Sequence, residues 1–451
     1  MRSGLLFREV SASSRSFGCP RGDEVLQRDA MPDVPATAVR AQPFPAAVAL
    51  IGTCHEPRAT RMALTIPHGI PDTDADPFRE RSGPVFSVRK VILGGDFQFG
   101  SASAALLQVV ETAYADLPTH RLPVAAPEFR IELRLLPRRA SLPGTEPLPV
   151  RMQSGAGLLC GVMDASNYVV LAPAQGRALV VASEDMLNRP YHLRYELVEF
   201  AVFTLATRGL GLVPLHGACV GRQGRGVLLL GESGAGKSTL ALHSLLHGLD
   251  FLAEDAVFVQ PETLLATGVA NYLHVQADAL RHVDDRAARH WLDCSPRIRR
   301  RSGVEKFEAD LRQSPGRLAA APLDLVGAVF LSAEMADDAD ALLSPVRASD
   351  AAVRLRANQS YAAAQPGWDR FEQQLVRRGI HELRRGRHPR DAVTALDELL
   401  DGVRADGPAM AESPLPPVTG ADVLVDGRGN LRSEYDEPRE WFDTNLAGTR
   451  R

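Results

Sequence analysis

Long apolar runs are missing from this 451-residue chain. None approaches the roughly 20 residues of a membrane-spanning helix. The nearest stretch, Phe200 to Val220, is interrupted by Arg208, three glycines and Pro214, and reads as a buried helix followed by a loop. Cysteine is scarce. Cys19, Cys54, Cys160, Cys219 and Cys294 make an odd number with no C-x-x-C pair, which argues against a disulfide framework or a zinc ribbon and fits a reducing cytoplasm. Cys160 and Cys219 sit in apolar surroundings and read as small buried hydrophobes. An excess of charge of one sign is absent too: the formal net charge of −4 gives no electrostatic footprint for nucleic acid or an anionic membrane. The first residues, Met1-Arg2-Ser3-Gly4-Leu5-Leu6-Phe7-Arg8, lack the apolar core of a signal peptide. The expectation is a cytoplasmic protein with no membrane or nucleic-acid partner.

What is present suits a soluble protein with a sizeable core, at 45% hydrophobic and 24% charged residues, and a length that suggests about two or three domains. Residues 1–84 carry recurrent prolines without periodicity and read as a disordered leader, in which Met31 or Met62 could be the true start. From there to 207 the pattern predicts an α+β module. Its strands are expected at Val85–Val88, Val91–Leu93, Phe129–Leu135, Leu158–Val162, Tyr168–Leu171 and Ala178–Val181, with helices at Ala104–Ala115 and Tyr191–Thr207. Residues 208–403 read as a nucleotide domain, closing with a strand at Leu325–Leu331, a helix at Trp368–Arg377, a strand at Gly379–Leu383 and a helix at Pro389–Val403. Residues 404–451, rich in Pro, Gly, Asp and Glu, read as a disordered tail. Within it Trp441 and Phe442, beside Asp436-Glu437-Pro438-Arg439-Glu440, fit a short docking motif or, more commonly for such segments, nothing. No internal repeat is found.

The densest signal is Gly231-Glu232-Ser233-Gly234-Ala235-Gly236-Lys237-Ser238-Thr239, a phosphate-binding loop of the form G-x-x-x-x-G-K-[ST]. It follows the apolar run Val227-Leu228-Leu229-Leu230 and precedes a helix predicted over Ser238–Leu246. Its glycines let backbone N–H groups turn inward around a phosphate chain, and the helix adds its positive end. Lys237 is placed to reach the β- and γ-phosphates, and the Ser238 hydroxyl is a ligand for Mg²⁺. These residues imply ATP and Mg²⁺. No L-S-G-G-Q and no N-K-x-D occurs, which argues against an ABC-type ATPase and a GTPase. Gly221, Gly224 and Gly226 predict a tight hairpin between strands Ala218–Val220 and Gly226–Leu230. An antiparallel strand just before the loop implies a mixed sheet.

Phosphoryl transfer also needs a carboxylate for the metal and a group to receive the acceptor's proton. Glu254-Asp255 interrupts the apolar strands Phe251–Ala253 and Val257–Val259, where desolvation is costly without a cation or a shared proton. A surface turn is the plainer alternative. Upstream, His216 in Leu215-His216-Gly217 would on its own be a structural histidine. Arg297-Ile298-Arg299-Arg300-Arg301 and Lys306 could add cations for phosphates or an acidic substrate, although basic runs are usually solvated faces. His274, His282 and His290, spaced eight apart, do not match helical metal ligation and read as incidental.

Taken together, Leu215–Val220, Gly226–Leu242 and Gly248–Asp255 resemble the catalytic core of the HPr kinase/phosphorylase family, with its His-Gly strand, its G-x-S-G-x-G-K-S loop and its acidic pair. The strong resemblance spans residues 213–260. A looser likeness over 85–403 points to HPr-kinase-related serine kinases of Gram-negative bacteria, some encoded beside peptide-modification genes. The resemblance implies an α/β fold in which a P-loop domain with a mixed sheet, like ATP-type phosphoenolpyruvate carboxykinase, follows the smaller α+β module. It implies Asp255 as general base, Glu254 as its companion near Mg²⁺ with Ser238, and His216 close to the transferred group beside Lys237. Three departures favour the kinase direction and argue against HPr as substrate: Thr239 stands where those enzymes have Glu, Glu254 where Asp is usual, and no phosphorolysis signature follows. The N-terminal module does not resemble their usual partner domain.

The leading expectation is an ATP/Mg²⁺-dependent kinase acting on a serine of a protein or peptide, with self-assembly into a homo-oligomer left open. The alternatives are a non-kinase P-loop ATPase or nucleotide-sensing regulator, and a peptide-binding scaffold with a degenerate site.

Overall fold

The computed structural model describes residues 86–137, 146–336 and 342–402. The leader expected at 1–84 and the tail at 404–451, with Trp441 and Phe442, lie outside the described residues. No helix among these residues is long and apolar enough to cross a membrane.

The chain first builds a seven-stranded sheet from β1 (Phe86–Ile92), β2 (Gly95–Ser101), β3 (Glu128–Leu136), β4 (Arg151–Gly155), β5 (Leu158–Asp164), β6 (Asn167–Ala172) and β7 (Arg177–Ser183). Their spatial order is β1-β2-β3-β7-β6-β5-β4. Only β2–β3 and β3–β7 pair in parallel. The helix Ala104–Tyr114 provides the crossover that a parallel pair requires. The two short strands expected at Val85–Val88 and Val91–Leu93 are one edge strand, on which Arg89 is exposed while Lys90 pairs with Glu111 at 2.6 Å, and β2 was not foreseen. A turn joins them in which Leu93 and Gly94 both have positive φ (54° and 92°), the conformation of a two-residue hairpin. Phe97 and Phe99 of β2 alternate inward and are buried. Phe97 packs its ring centroid 4.7 Å from that of Phe129.

A long helical segment leaves this sheet as a short α turn (Pro190–His192), a π-helical turn (Leu193–Val198) and an α-helix (Glu199–Leu210). The helix packs into the first sheet's core and ends at Gly211 in the left-handed conformation, the usual helix stop.

The second sheet holds β8 (Val213–His216), β9 (Ala218–Arg222), β10 (Arg225–Leu230), β11 (Asp250–Ala253), β12 (Ala256–Val259) and β13 (Leu265–Gly268). A small antiparallel sheet of β14 (Tyr272–Val275), β15 (Arg297–Arg299) and β16 (Glu305–Asp310) follows in order β14-β16-β15. The chain then returns to the second sheet with β17 (Arg317–Leu318), β18 (Leu323–Met335), β19 (Leu343–Pro345) and β20 (Ile380–Arg385). Its order is β17-β11-β9-β10-β18-β13-β12-β8, with β20 also on β18 and β19 on β20. The strand before the loop, β10, lies antiparallel to β9 and parallel to β18. The architecture is therefore mixed α/β, with the mixed sheet that the upstream hairpin implies. β14–β16 and the helix Ala348–Asn358 lie where sequence reading proposed no element.

The β9–β10 hairpin turns through Gln223 and Gly224, both at positive φ. Its glycines do different work. Gly224 supplies the conformation, whereas a Cβ on Gly221 would land on the Arg225 carbonyl oxygen and within 2.8 Å of Leu323 Cδ1. Gly221→Ala should therefore destabilise the fold by about 1–3 kcal/mol or more through overpacking. Denaturant unfolding checks this, and an unchanged midpoint would show that the strands do not approach as described.

Candidate active site

Val227 to Leu230 are fully buried at the centre of the second sheet, and the loop leaves directly from their end. Gly231, Gly234 and Gly236 take φ of 142°, 83° and 102°, a region costly for residues with a Cβ. The helix Lys237–Leu246 then starts behind Gly236, with its first-turn N–H groups free of intrahelical partners. Lys237 folds across the loop, its Nζ donating to the carbonyls of Gly231 (2.7 Å) and Glu232 (3.1 Å). Burial pulls its ammonium below the ordinary lysine value, opposed by the nearby Asp255 and Glu254. Ser233 to Thr239 line a cleft of about 620 Å³, with Glu232 and Gly231 at the base of the loop.

Two stretches of chain break at the same level beside this loop. β8 gives way to β9 at Gly217, and β11 gives way to β12 at Glu254-Asp255. β11 pairs with β9, and β12 with β8. The Gly217 N–H donates to the Asp255 carbonyl at 3.3 Å. A Cβ on Gly217 would come within 2.7 Å of the Leu229 carbonyl. The paired breaks bring His216 and the acidic pair together, and both line the same cleft as Lys237.

The two carboxylates are paired differently. Glu254, only 4% exposed at its side chain, accepts from Ser238 Oγ at 2.5 Å and lies 3.5 Å from His274 Nδ1. Burial would raise its carboxyl, but the His274 bond and Lys306 leave it below the ordinary range despite Asp255 beside it. Asp255, 14% exposed at its side chain, accepts on Oδ2 from both terminal nitrogens of Arg300 and from the Tyr195 hydroxyl, each at 3.0 Å. Its Oδ1 lies 3.5 Å from His216 Nδ1. Burial again pushes upward, and Arg300 followed by His216 outweighs it, so the carboxyl is held well below its ordinary range. Desolvation lowers the His216 imidazole, only partly countered by Asp255, which favours the neutral ring. Gln359 brackets His216 by accepting from its N–H and donating to its carbonyl, at 2.8 and 2.9 Å.

Behind these residues runs a buried polar chain. His274 Nε2 lies 3.3 Å from Glu308 Oε1, which accepts from Arg194 at 2.6 Å, and Arg194 lies 3.2 Å from Glu199. Burial works against the Glu308 charge, yet His274 and Arg194 bring its carboxyl down to about 2. Of the residues expected at the site, His216, Ser233 to Thr239, Glu254 and Asp255 line one cleft, and Gly231 and Glu232 are not among its lining. Sequence reading missed Tyr195, Arg194 and Glu308, which lie far along the chain from their partners. It also set aside His274 as incidental, whereas the structure seats it between two carboxylates. Arg300, read as part of a basic run that either adds cations for phosphate and substrate or, more commonly, forms a solvated face, is buried and pairs with Asp255.

The donors present fit Mg²⁺. Ser238 Oγ and Glu254 Oε1 are adjacent hard oxygens, and this ion keeps water and substrate phosphates as most of its ligands. Among the described residues no cluster of three His, Cys, Asp or Glu side chains is arranged to hold a metal by itself.

No family model matches the chain, and no curated protein matches it. Among solved structures, the Hpr(Ser) kinase/phosphatase from Coxiella burnetii aligns with 42% of this chain and 90% of its own at 13% identity, with a TM-score of 0.24. A likeness of that size carries no argument for either fold or activity.

At one side of the cleft His282 and His388 meet His243, which is fully buried on the loop's helix. Neither ring nitrogen of His243 has a hydrogen-bond partner. Its ring centroid is 6.1 Å from that of His247, 6.4 Å from His282 and 6.0 Å from His388. Burial, then the neighbouring imidazoles, push its pKa down from 6.5 to about 4. Between those values the unfolded chain binds the proton and the fold does not, so stability falls as pH drops from about 6.5 toward about 4. Thermal unfolding across this window should show His243→Leu losing less stability on acidification than the parent. Parallel curves would rule out this source.

Proposed function

We propose that this chain is an ATP- and Mg²⁺-dependent kinase that transfers the γ-phosphoryl group to a serine hydroxyl of a protein or peptide. One observation carries the reading: Lys237 and Ser238 of the loop converge with Glu254, Asp255 and His216 in a single cleft. The order of motifs shared with the HPr kinase/phosphorylase family supports it. The loop N–H groups from Gly231 to Thr239 and the Lys237 ammonium would hold the triphosphate. Ser238 and Glu254 would hold Mg²⁺, which when bound spreads the charge of the phosphate oxygens.

Asp255 then receives the acceptor's proton as the serine oxygen forms its bond to the γ-phosphorus and the bond from that phosphorus to the β–γ bridging oxygen breaks. A carboxylate held well below its ordinary value is ionised at neutral pH. Such a weak base suits a transition state in which the hydroxyl loses its proton late, as a loose phosphoryl transfer allows. The His216 Nδ1–H donates to the Asp255 backbone carbonyl at 3.2 Å, so in the neutral ring Nε2 carries no proton and acts only as a hydrogen-bond acceptor.

The purified protein incubated with γ-labelled ATP and the peptides and proteins encoded beside it should place label on serine. Lys237→Ala should abolish this. Asp255→Asn should retain ATP binding and lose roughly 10²–10⁴-fold in transfer rate. Transfer at the parental rate in Asp255→Asn would remove the base assignment, and ATP consumption unchanged by any acceptor would favour a plain ATPase.

A further inference from the structure

Asp255 Oδ2 receives three donors, two from Arg300 and one from Tyr195. That exceeds the two or so lone-pair directions of one carboxylate oxygen. Among the described residues, the ion-pair partner of Oδ1 is His216 Nδ1, at 3.5 Å. The holders come from separate places. Arg300 is buried in the turn joining β15 to β16, where its N–H donates to the Val304 carbonyl and its carbonyl accepts from Gly303. Tyr195 sits on the π-helical turn Leu193–Val198, a departure from α-helix often found where a side chain must be aimed at a site. Arg300 also stacks over the Tyr195 ring, 5.5 Å from its centroid.

We infer that Tyr195 and Arg300 are positioning residues that occupy Oδ2 and so make Oδ1 the atom of Asp255 that meets the acceptor hydroxyl, beside His216. The inference rests on the base role proposed for Asp255. A syn or anti approach to the carboxylate is thereby chosen by the protein before substrate arrives, which is the preorganisation that orientation effects reward. Because Arg300 is fixed from behind by its own turn, rotation of the Asp255 side chain would strip a buried guanidinium of its charge partner.

The test is the split between kcat and KM for serine labelling at saturating Mg²⁺, measured on the full chain and alongside thermal unfolding. Arg300→Gln should lower kcat by about tenfold or more, with KM for ATP within about twofold. Arg300→Lys should recover only part of that rate, since an ammonium cannot make the two-nitrogen contact. Tyr195→Phe, which deletes one oxygen and keeps the ring, should lower kcat with KM for ATP unchanged, and it carries the test if Arg300→Gln does not fold. A kcat unmoved in folded Arg300→Gln, or losses that appear in KM for ATP instead, overturn the positioning role. If Asp255→Asn is inactive in the same assay, that failure belongs to Tyr195 and Arg300 alone. If Asp255→Asn is active, the base role itself falls.

Discussion

Two neighbouring carboxylates are kept largely out of water at a break in the central sheet, and much of the chain after residue 190 is arranged around them. Taking an ion from water to a protein interior costs several kcal/mol unless partners of suitable geometry replace the lost hydration. Here the partners arrive from five directions. Ser238 comes from the loop's helix, His274 from β14, Arg300 from the β15–β16 turn, Tyr195 from the π-helical turn and His216 from β8. The small third sheet is explained by this demand. It pins His274 and Glu308 opposite each other on adjacent strands, in direct register at His274↔Glu308, and hangs Arg300 from its far hairpin. Arg194 then closes the chain of charges back to the helix that packs on the first sheet.

The mixed sheet decides which strand ends open to the cleft. β10, β18 and β20 run in parallel, so their carboxyl ends lie side by side. Leu331 and Ser332 of β18 and Leu383 to Arg385 of β20 line the same cleft as the loop that follows β10. That matches the general placement of ligands beyond the carboxyl ends of parallel strands. The antiparallel neighbour β9 adds something that a wholly parallel sheet would lack. It runs back from the Gly217 break, so the residue just before that break, His216, is delivered to the mouth of the loop from the opposite direction. Its place is then fixed by pairing with β12 across the register His216↔Ala256.

What could be read from sequence was whatever is written within a few dozen contiguous residues. The loop glycines, Lys237 and Ser238, the acidic interruption of an apolar strand and the glycine hairpin are local patterns, and Lys237, Ser238 and the acidic pair meet at one cleft. Tyr195 and Arg300 lie 60 and 45 residues from Asp255 along the chain. A tyrosine in an apolar helix and an arginine in a basic run carry no mark of that pairing. His274 was misjudged for a definite reason: spacing rules for helical ligands were applied to three histidines that lie on a strand, on a 3₁₀ turn and on a helix. β2 was overlooked because Gly95 and Gly100 dilute its apolar alternation, although Phe97 and Phe99 supply the inward face.

The acidic pair poses a geometric problem that a regular strand cannot solve. Successive side chains in extended chain point to opposite faces of a sheet, so Glu254 and Asp255 in a continuous strand would be separated by it. Asp255 instead takes φ of 75°. Aspartate is among the few residues with a side chain that enter this region with any frequency, at a cost of roughly 1–2 kcal/mol. The turn it makes lets both carboxylates reach one cleft while their partners differ. Glu254 faces the loop hydroxyl and Asp255 faces His216 and Arg300. Two acids adjacent in sequence thereby acquire unequal environments, one suited to sharing a cation with a phosphate loop and the other to meeting a hydroxyl. Under the kinase reading the left-handed residue is what separates the metal-side carboxylate from the proton-accepting one, and Arg300 gives the latter a charge partner that the former lacks.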